Sequence, residues 1–285
     1  GRGGIGAVYR ARDESSGQVV ALKTLENDDP RLTALFEREY HTLASPRHPS
    51  MIEVYDFGIA ENGARYYTME LLEGQDLLAL MPLPWQRVCE HLREVAASLA
   101  LLHARRLVHR DVSPRNVRLD SRGKAKLIDF GALASFGAVA EIIGTPICIA
   151  PEVIRQLELD QRTDLYSLGV IAYLVLGAGK PYNISQLQDA EMAWRASPRP
   201  PSERVPGIPP ALDALVLSML SVNPLGRPAS AAEVIERLSA IAGLDEEPVA
   251  GLAEDYLLSS DLVGRQREKR QLRKHMDRTL RGRGA

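Results

Sequence analysis

Asp111 and Asn116 stand five positions apart in the stretch HRDVSPRN, and Asp129 follows in the tripeptide DFG. A carboxylate such as Asp111 can orient an acceptor hydroxyl and take its proton. The amide oxygen of Asn116 and the carboxylate of Asp129 are hard donors of the kind Mg²⁺ prefers, and two such ligands leave coordination positions for phosphate and water. Asp and Asn are also ordinary turn formers, so each residue alone reads as loop chemistry; that reading is poor for all of them in this order. Upstream, Lys23 follows the apolar Val20, Ala21 and Leu22. Its ammonium would set a point charge against phosphate oxygens, and Glu39 in FEREY could pair with it and hold it. Taken singly, such a lysine and such a helix glutamate are more often solvent-facing. The chain opens with Gly1-Arg-Gly3-Gly-Ile-Gly6-Ala-Val8, a G-x-G-x-x-G-x-V pattern. Dinucleotide sites use similar glycines, but they need a helix directly afterwards to aim its N-terminus at the pyrophosphate. An alternating strand follows here, so a glycine-rich hairpin covering phosphates with backbone N–H groups fits better. A plain tight turn is the remaining alternative.

These residues need elements to hold them. VYRARD alternates, SSGQ is a turn signal, and VVALKTL is a β-rich run. Helical spacing covers Pro30–Leu43, with Leu32, Leu35, Phe36 and Leu43 on or near one side. Strands are expected at Ile52–Ile59 and Arg65–Glu70. After Gly74 the character changes. Val88, Leu92, Val95, Leu99 and Leu102 mark an amphipathic helix, and Leu165–Leu176 a helix apolar nearly all round, hence buried. Strand-like pieces flank HRDVSPRN and precede DFG, where Gly131 would let the chain turn sharply. Ser197–Pro210 is Pro-rich and reads as a surface loop. Helices follow at Ala211–Ser221 and Ser230–Ala242, the second opening with capping-box spacing from Ser230 to Glu233. No internal repeat is visible. The expected architecture is α+β: a small β-rich lobe, then a mostly helical one.

With these motifs in order, residues 1–242 resemble the eukaryotic-like (Hanks-type) Ser/Thr protein kinases of bacteria. GRGGIGAV resembles the Gly-rich loop, VALK the third-strand lysine motif, HRDVSPRN the catalytic loop, DFG the metal motif and Ala150-Pro-Glu152 the APE motif. Gly144-Thr145 resembles the GT before the peptide-docking loop. Asp164 resembles the aspartate anchoring the catalytic loop, and Arg227 the arginine that pairs with the APE glutamate, here Glu152. Relatives acting on small molecules generally lack these last features, so their presence favours a protein substrate.

The resemblance implies ATP and Mg²⁺ as cofactors and assigns roles by position. Asp111 would orient and deprotonate the acceptor hydroxyl, and Asn116 and Asp129 would ligate the metal. Lys23, fixed by Glu39, would hold the α- and β-phosphates beneath Gly1, Gly3 and Gly6. Val8, Ala21 and the gatekeeper Met69 would border the adenine, with the backbones of Glu70 and Leu72 bonding its edge. Leu43, His109 and Phe130 would stack between the lobes. The fold implied is the two-lobed kinase fold, with residues 1–72 as the N-lobe and 73–242 as the C-lobe. Its first strand would precede Gly1.

The sequence also departs from that pattern. Ser113 stands where the family has a lysine that neutralises the γ-phosphate. Arg115 lies four residues after Asp111, where many tyrosine kinases that lack the lysine carry an arginine, and could supply the charge; a solvent-facing Arg115 is the alternative. Arg118 replaces the apolar floor under adenine, either stacking on the base or snorkelling out and leaving Val117 and Leu119 to pack. Between DFG and APE the hydroxyls are Ser135 and Thr145, while Arg110 precedes Asp111 as in kinases switched by phosphate. Cys148 reads as a buried structural thiol. A pseudokinase, keeping the fold as a nucleotide-binding or regulatory scaffold, is the alternative that Ser113 and Arg118 support.

The bulk numbers suit a globular protein. Of 285 residues, 45% are hydrophobic and 25% charged. Two cysteines cannot build a disulfide framework, so a reducing, cytoplasmic setting is expected. The longest apolar run is too short to span a bilayer. Gly1 is not a natural start, so the lack of a visible signal peptide carries little weight. Residues 263–285 hold nine Lys/Arg and two acids, about +7, leaving about −9 elsewhere in a chain of net −2. A solvated helix opening a further domain is expected there, so nucleic acid is not expected as a partner. Residues 243–261 read as a linker, and Leu262-Val-Gly-Arg265 resembles the opening of an ATPase-type module; the alternative for 262–285 is a basic helical tail.

Overall fold

The computed structural model describes residues 6–25, 29–44, 49, 51–139, 141–184 and 186–245. Gly1 and Gly3 of the glycine motif, and positions 246–285 with the rest of the expected linker and the basic stretch, lie outside them. The described residues form two compact units, one of 6–25, 29–44 and 52–71, the other of 49, 51 and 72–245.

The first unit is an antiparallel sheet with one helix. Strands β1 (Ala7–Arg12) and β2 (Val19–Leu25) form a hairpin. Its turn is closed by Asp13, whose carboxylate accepts from the Ser15 amide and from the Ser15 and Ser16 hydroxyls. β3 (Val54–Ile59) and β4 (Arg65–Glu70) form a second hairpin, and the strand order is β1-β2-β4-β3. Gly6 enters β1 so close to β2 that a Cβ there would lie 2.1 Å from the Thr24 carbonyl oxygen, and only glycine fits. Register pairs Val8 with Lys23 and Lys23 with Tyr67, and Ala21 with Met69. Alternation therefore puts Val8, Ala21, Lys23, Tyr67 and Met69 on one face.

Helix α1 (Pro30–Ala44) stacks Phe36 on Tyr67 at 5.0 Å and Tyr40 on Phe57 at 5.1 Å. Leu32 and Leu35 are only half-buried, whereas Glu39 lies inside the apolar stripe. That burial sets aside the solvent-facing alternative for Glu39, and its pairing with Lys23, the other reading, explains it.

The second unit is mainly helical. Short α2 (Leu77–Leu80) is capped by Asp76 through the Ala79 amide, and long α3 (Trp85–Ala104) buries Val88, Leu92, Val95, Leu99 and Leu102. Strand β5 (Leu107–Val108) leads into HRDVSPRN, and β6 (Val117–Leu119) pairs with β7 (Ala125–Leu127), which leads into DFG. β8 (Ala134–Ser135) returns to pair with β5. Then come α4 (Pro151–Ile154), α5 (Gln161–Val175), α6 (Ala190–Ala193), α7 (Pro210–Met219) and α8 (Ala231–Ala242).

Helix α5 is buried continuously from Thr163 to Tyr173, in keeping with its all-round apolarity. Ser230 caps α8 by accepting from the Glu233 amide, and Gly243 ends it in the left-handed region. The Pro-rich stretch 197–210 includes a single 3₁₀ turn, Pro201–Glu203, and gives Pro210 to the first turn of α7. Among the described residues, no helix is long and apolar enough to cross a membrane.

Candidate active site

In the first unit, Lys23 Nζ lies 2.7 and 2.8 Å from the two carboxylate oxygens of Glu39. The residues are 7% and 1% exposed, so each charge is removed from water and matched by the other. The lysine is thereby held on the same sheet face as Val8, Ala21 and Met69, and Met69 is half-buried between its register partners Ala21 and Val54. The Glu70 amide donates to the Glu53 carbonyl at 2.8 Å, and the Glu70 carboxylate receives the Glu53 amide.

In the second unit, HRDVSPRN is hung from below by Asp164. One of its carboxylate oxygens accepts from the His109 amide and lies 2.9 Å from His103 Nε2, and the other accepts from the Arg110 amide. This buried anchor bends the chain so that Arg110 adopts φ 71° and Asp111 emerges beside it. Asp111 Oδ1 accepts from the Thr145 amide (3.0 Å) and hydroxyl (3.1 Å), and Oδ2 accepts from Asn116 Nδ2 (2.8 Å). Asn116 Nδ2 also donates to the Asp111 carbonyl, so the amide nitrogen is committed to the loop and Oδ1 is turned away from it.

The Asn116 carbonyl accepts from the Ile128 amide, which fixes the start of DFG against HRDVSPRN. The sharp turn expected at Gly131 falls on Asp129 itself, at φ 64°, a conformation costly for a residue with a Cβ. Its side chain is exposed, while Phe130 is buried edge-on to His109 at 4.8 Å. An amide oxygen and an exposed carboxylate are a donor set suited to Mg²⁺ with phosphate oxygens and water completing it. Among the described residues no cluster of three His, Cys, Asp or Glu offers an all-protein metal cage.

The family model described as a protein kinase domain matches residues 1–238. This chain belongs to the protein kinase domain family. The kinase domain is 36% identical over 267 residues to the serine/threonine-protein kinase pkn3 of Myxococcus xanthus, an alignment covering 85% of this chain and 48% of that protein. It is 36% identical over 251 residues to the serine/threonine-protein kinase PknB of Mycobacterium leprae, covering 82% of this chain and 40% of that one. A probable serine/threonine-protein kinase of Streptomyces coelicolor is 36% identical over 272 residues, covering 89% of this chain and 40% of its own length. The chain thus spans less than half the length of these relatives.

The departures in this kinase domain have definite surroundings. Ser113 is buried, and its hydroxyl meets no hydrogen-bond partner among the described residues. Arg115, on the 3₁₀ turn Pro114–Asn116, is exposed. Arg118 neither extends into solvent nor leaves both neighbours to pack: Val117 is fully buried, Leu119 is half-buried, and the guanidinium turns to the Gly74 carbonyl. That contact was invisible to spacing, because Gly74 and Arg118 are 44 residues apart. Arg110 Nη2 donates to the Glu141 carbonyl. Ser135 is exposed on β8.

Cys148 is buried, and burial followed by the nearby Asp111 charge pushes its thiol up to about 12. Burial also raises Cys89 to about 12. In the native protein neither thiol should react with iodoacetamide at pH 8.5, and both should react in urea. Peptide mass spectrometry reads this directly; native alkylation of Cys148 would mean that the segment before APE opens in solution.

Proposed function

We propose that the protein transfers the γ-phosphoryl group of Mg·ATP to Ser and Thr hydroxyls of protein substrates. The observation that carries this reading is the contact of Thr145 with Asp111. It joins the GT motif, expected to shape the peptide site, to the carboxylate expected to receive the acceptor proton. The names of the relatives, all serine/threonine-protein kinases, support the same substrate class.

In this mechanism Asp111 orients the acceptor hydroxyl and takes its proton as the bond to phosphorus forms. Asn116 Oδ1 and Asp129 would hold Mg²⁺, which when bound neutralises phosphate charge. Lys23, kept in place by Glu39, would hold the α- and β-phosphates. Gly1, Gly3, Gly6 and Val8 would cover the phosphates, and Ala21, Met69 and Leu72 would border the base. Any edge contact from Glu70 would use its carbonyl, since its amide serves Glu53. We assign 1–72 and 73–242 to the two lobes, 243–261 to a linker and 262–285 to the opening of an ATPase-type module. The cytoplasm, where ATP is abundant, is the assigned compartment.

The test is to incubate the full-length protein with Mg·ATP and a basic protein substrate and locate phosphate by mass spectrometry. Phosphate on Ser or Thr is expected. ATP binding with no transfer to any acceptor would replace this reading with a pseudokinase, and transfer only to a sugar or antibiotic would replace it with a small-molecule phosphotransferase.

Ser113 brings no charge to the transferring group, and Arg115 is assigned that role. Its fork can meet two phosphate oxygens at once. Arg115→Ala should lower kcat by about 10²-fold, whereas the exposed Arg122→Ala should leave it unchanged. Equal effects in a phosphotransfer assay would remove Arg115 from the mechanism.

A further inference from the structure

Arg118 lies on β6, two residues after Asn116. Its Nε and Nη2 both donate to the Gly74 carbonyl, at 3.2 and 2.7 Å. The same two stretches are joined by main-chain contacts. The Leu119 amide donates to the Gln75 carbonyl at 3.1 Å, and Asp76 pairs with Arg118 in an isolated antiparallel bridge. Gly74 comes so near that a Cβ there would lie 2.2 Å from the Leu119 carbonyl oxygen. Register sets Arg118 opposite Lys126, which is buried on the neighbouring strand. Like charges directly across a strand pair are destabilising, and a leucine would cover the ribbon without that cost. Arginine does what leucine cannot: it grips a main-chain oxygen with two donors of a planar fork.

Resting on the kinase reading above, we infer that Arg118 is a positioning residue for the nucleotide. It ties the segment 72–76, whose Leu72 backbone is assigned to the adenine edge, to the strand that leaves the metal-binding loop at Asn116. Backbone groups bind a base edge well only when held within a fraction of an ångström, so the strap sets nucleotide affinity more than the chemical step.

The test uses the full-length protein, with steady-state kinetics in ATP and competition by adenosine, which lacks phosphates. Arg118→Met should raise the KM for ATP about tenfold while kcat falls no more than about twofold. Adenosine inhibition should weaken by a similar factor, because the loss is on the base side. Arg118→Lys should recover part of the affinity, since an ammonium can give the carbonyl one bond. Gly74→Ala pushes the strap apart from its other end and should match Arg118→Met, with the double variant no worse than Gly74→Ala alone. An Arg118→Met protein that folds, with an unchanged or lower KM and unchanged adenosine inhibition, would overturn the inference. So would a loss confined to ATP that spares adenosine. If the wild-type protein transfers no phosphate, the kinase reading fails by itself, and adenosine binding still decides the role of Arg118.

Discussion

Asp111→Asn is expected to yield a folded protein that still binds Mg·ATP and transfers phosphate about 10²- to 10⁴-fold more slowly, the usual contribution of a positioned proton acceptor. The substitution keeps the volume but removes the carboxylate charge to which the proposed mechanism gives the proton. It also conflicts with the hydrogen bonds. Both Asp111 oxygens accept, one from the Thr145 amide and hydroxyl, the other from Asn116 Nδ2. An asparagine can offer an acceptor to only one of these sides. Lost chemistry and lost positioning are therefore mixed in this variant, and Thr145→Val separates them. It removes one donor, keeps the carboxylate and the main-chain N–H, and should cost about tenfold or less. Single-turnover transfer with a parallel nucleotide-binding titration measures both. Wild-type transfer by Asp111→Asn would show that another group takes the proton. Equal losses in the two variants would mean that the Thr145 contact, not basicity, is what Asp111 contributes.

The parts legible in the sequence are those governed by local rules. Lys23, Asp111, Asn116 and Asp129 stand out because together, in this order, they resemble the motif set of protein kinases. The strand Ala7–Arg12 follows from alternation, Val19–Leu25 from a β-rich run, and the helix Trp85–Ala104 from three-to-four-residue periodicity. Helix α1 shows where pattern falls short: of the side chains its spacing turns inward, Phe36 and Leu43 are buried but Leu32 and Leu35 only half so, while Glu39 is buried because its partner Lys23 arrives from a strand. β8, α4 and α6 are too short to carry a period and exist through tertiary contacts. Asp129 takes the left-handed turn that spacing gave to Gly131, because the chain must leave β7 with its start fixed to Asn116. The Arg118–Gly74 contact has no local signature at all; it depends on two distant segments meeting.

Removing one partner of the Glu152–Arg227 pair should cost about 3–5 kcal/mol, the largest stability effect expected from one side chain here. The side chains are 4% and 0% exposed and meet through two bonds of 2.7 and 2.8 Å. Two further donors are also used: Nε gives to the Ser221 carbonyl and Nη1 to the Arg162 carbonyl, while the guanidinium lies 5.0 Å from the Tyr166 ring centroid. Glu152→Gln would leave a satisfied but uncompensated cation inside the protein, and Arg227→Ala a buried anion beside a cavity. Both tryptophans, Trp85 and Trp194, lie in the helical unit, and Trp194 Nε1 donates to the Tyr166 hydroxyl. Fluorescence in urea therefore reports this unit in the full chain. The double variant should cost less than the sum of the single ones, since each single change strands its partner. Additive losses, or single losses below about 1 kcal/mol, would mean that water reaches the pair. The pair also holds the start of α4, three residues beyond Cys148, whose carbonyl accepts from Ser167, and six beyond Thr145 on Asp111. At temperatures where the variants remain folded, transfer should still fall, because Thr145 loses its fixed end. Full activity in a destabilised but folded Glu152→Gln would confine the pair to stability and leave the Asp111 contact to anchor the segment alone.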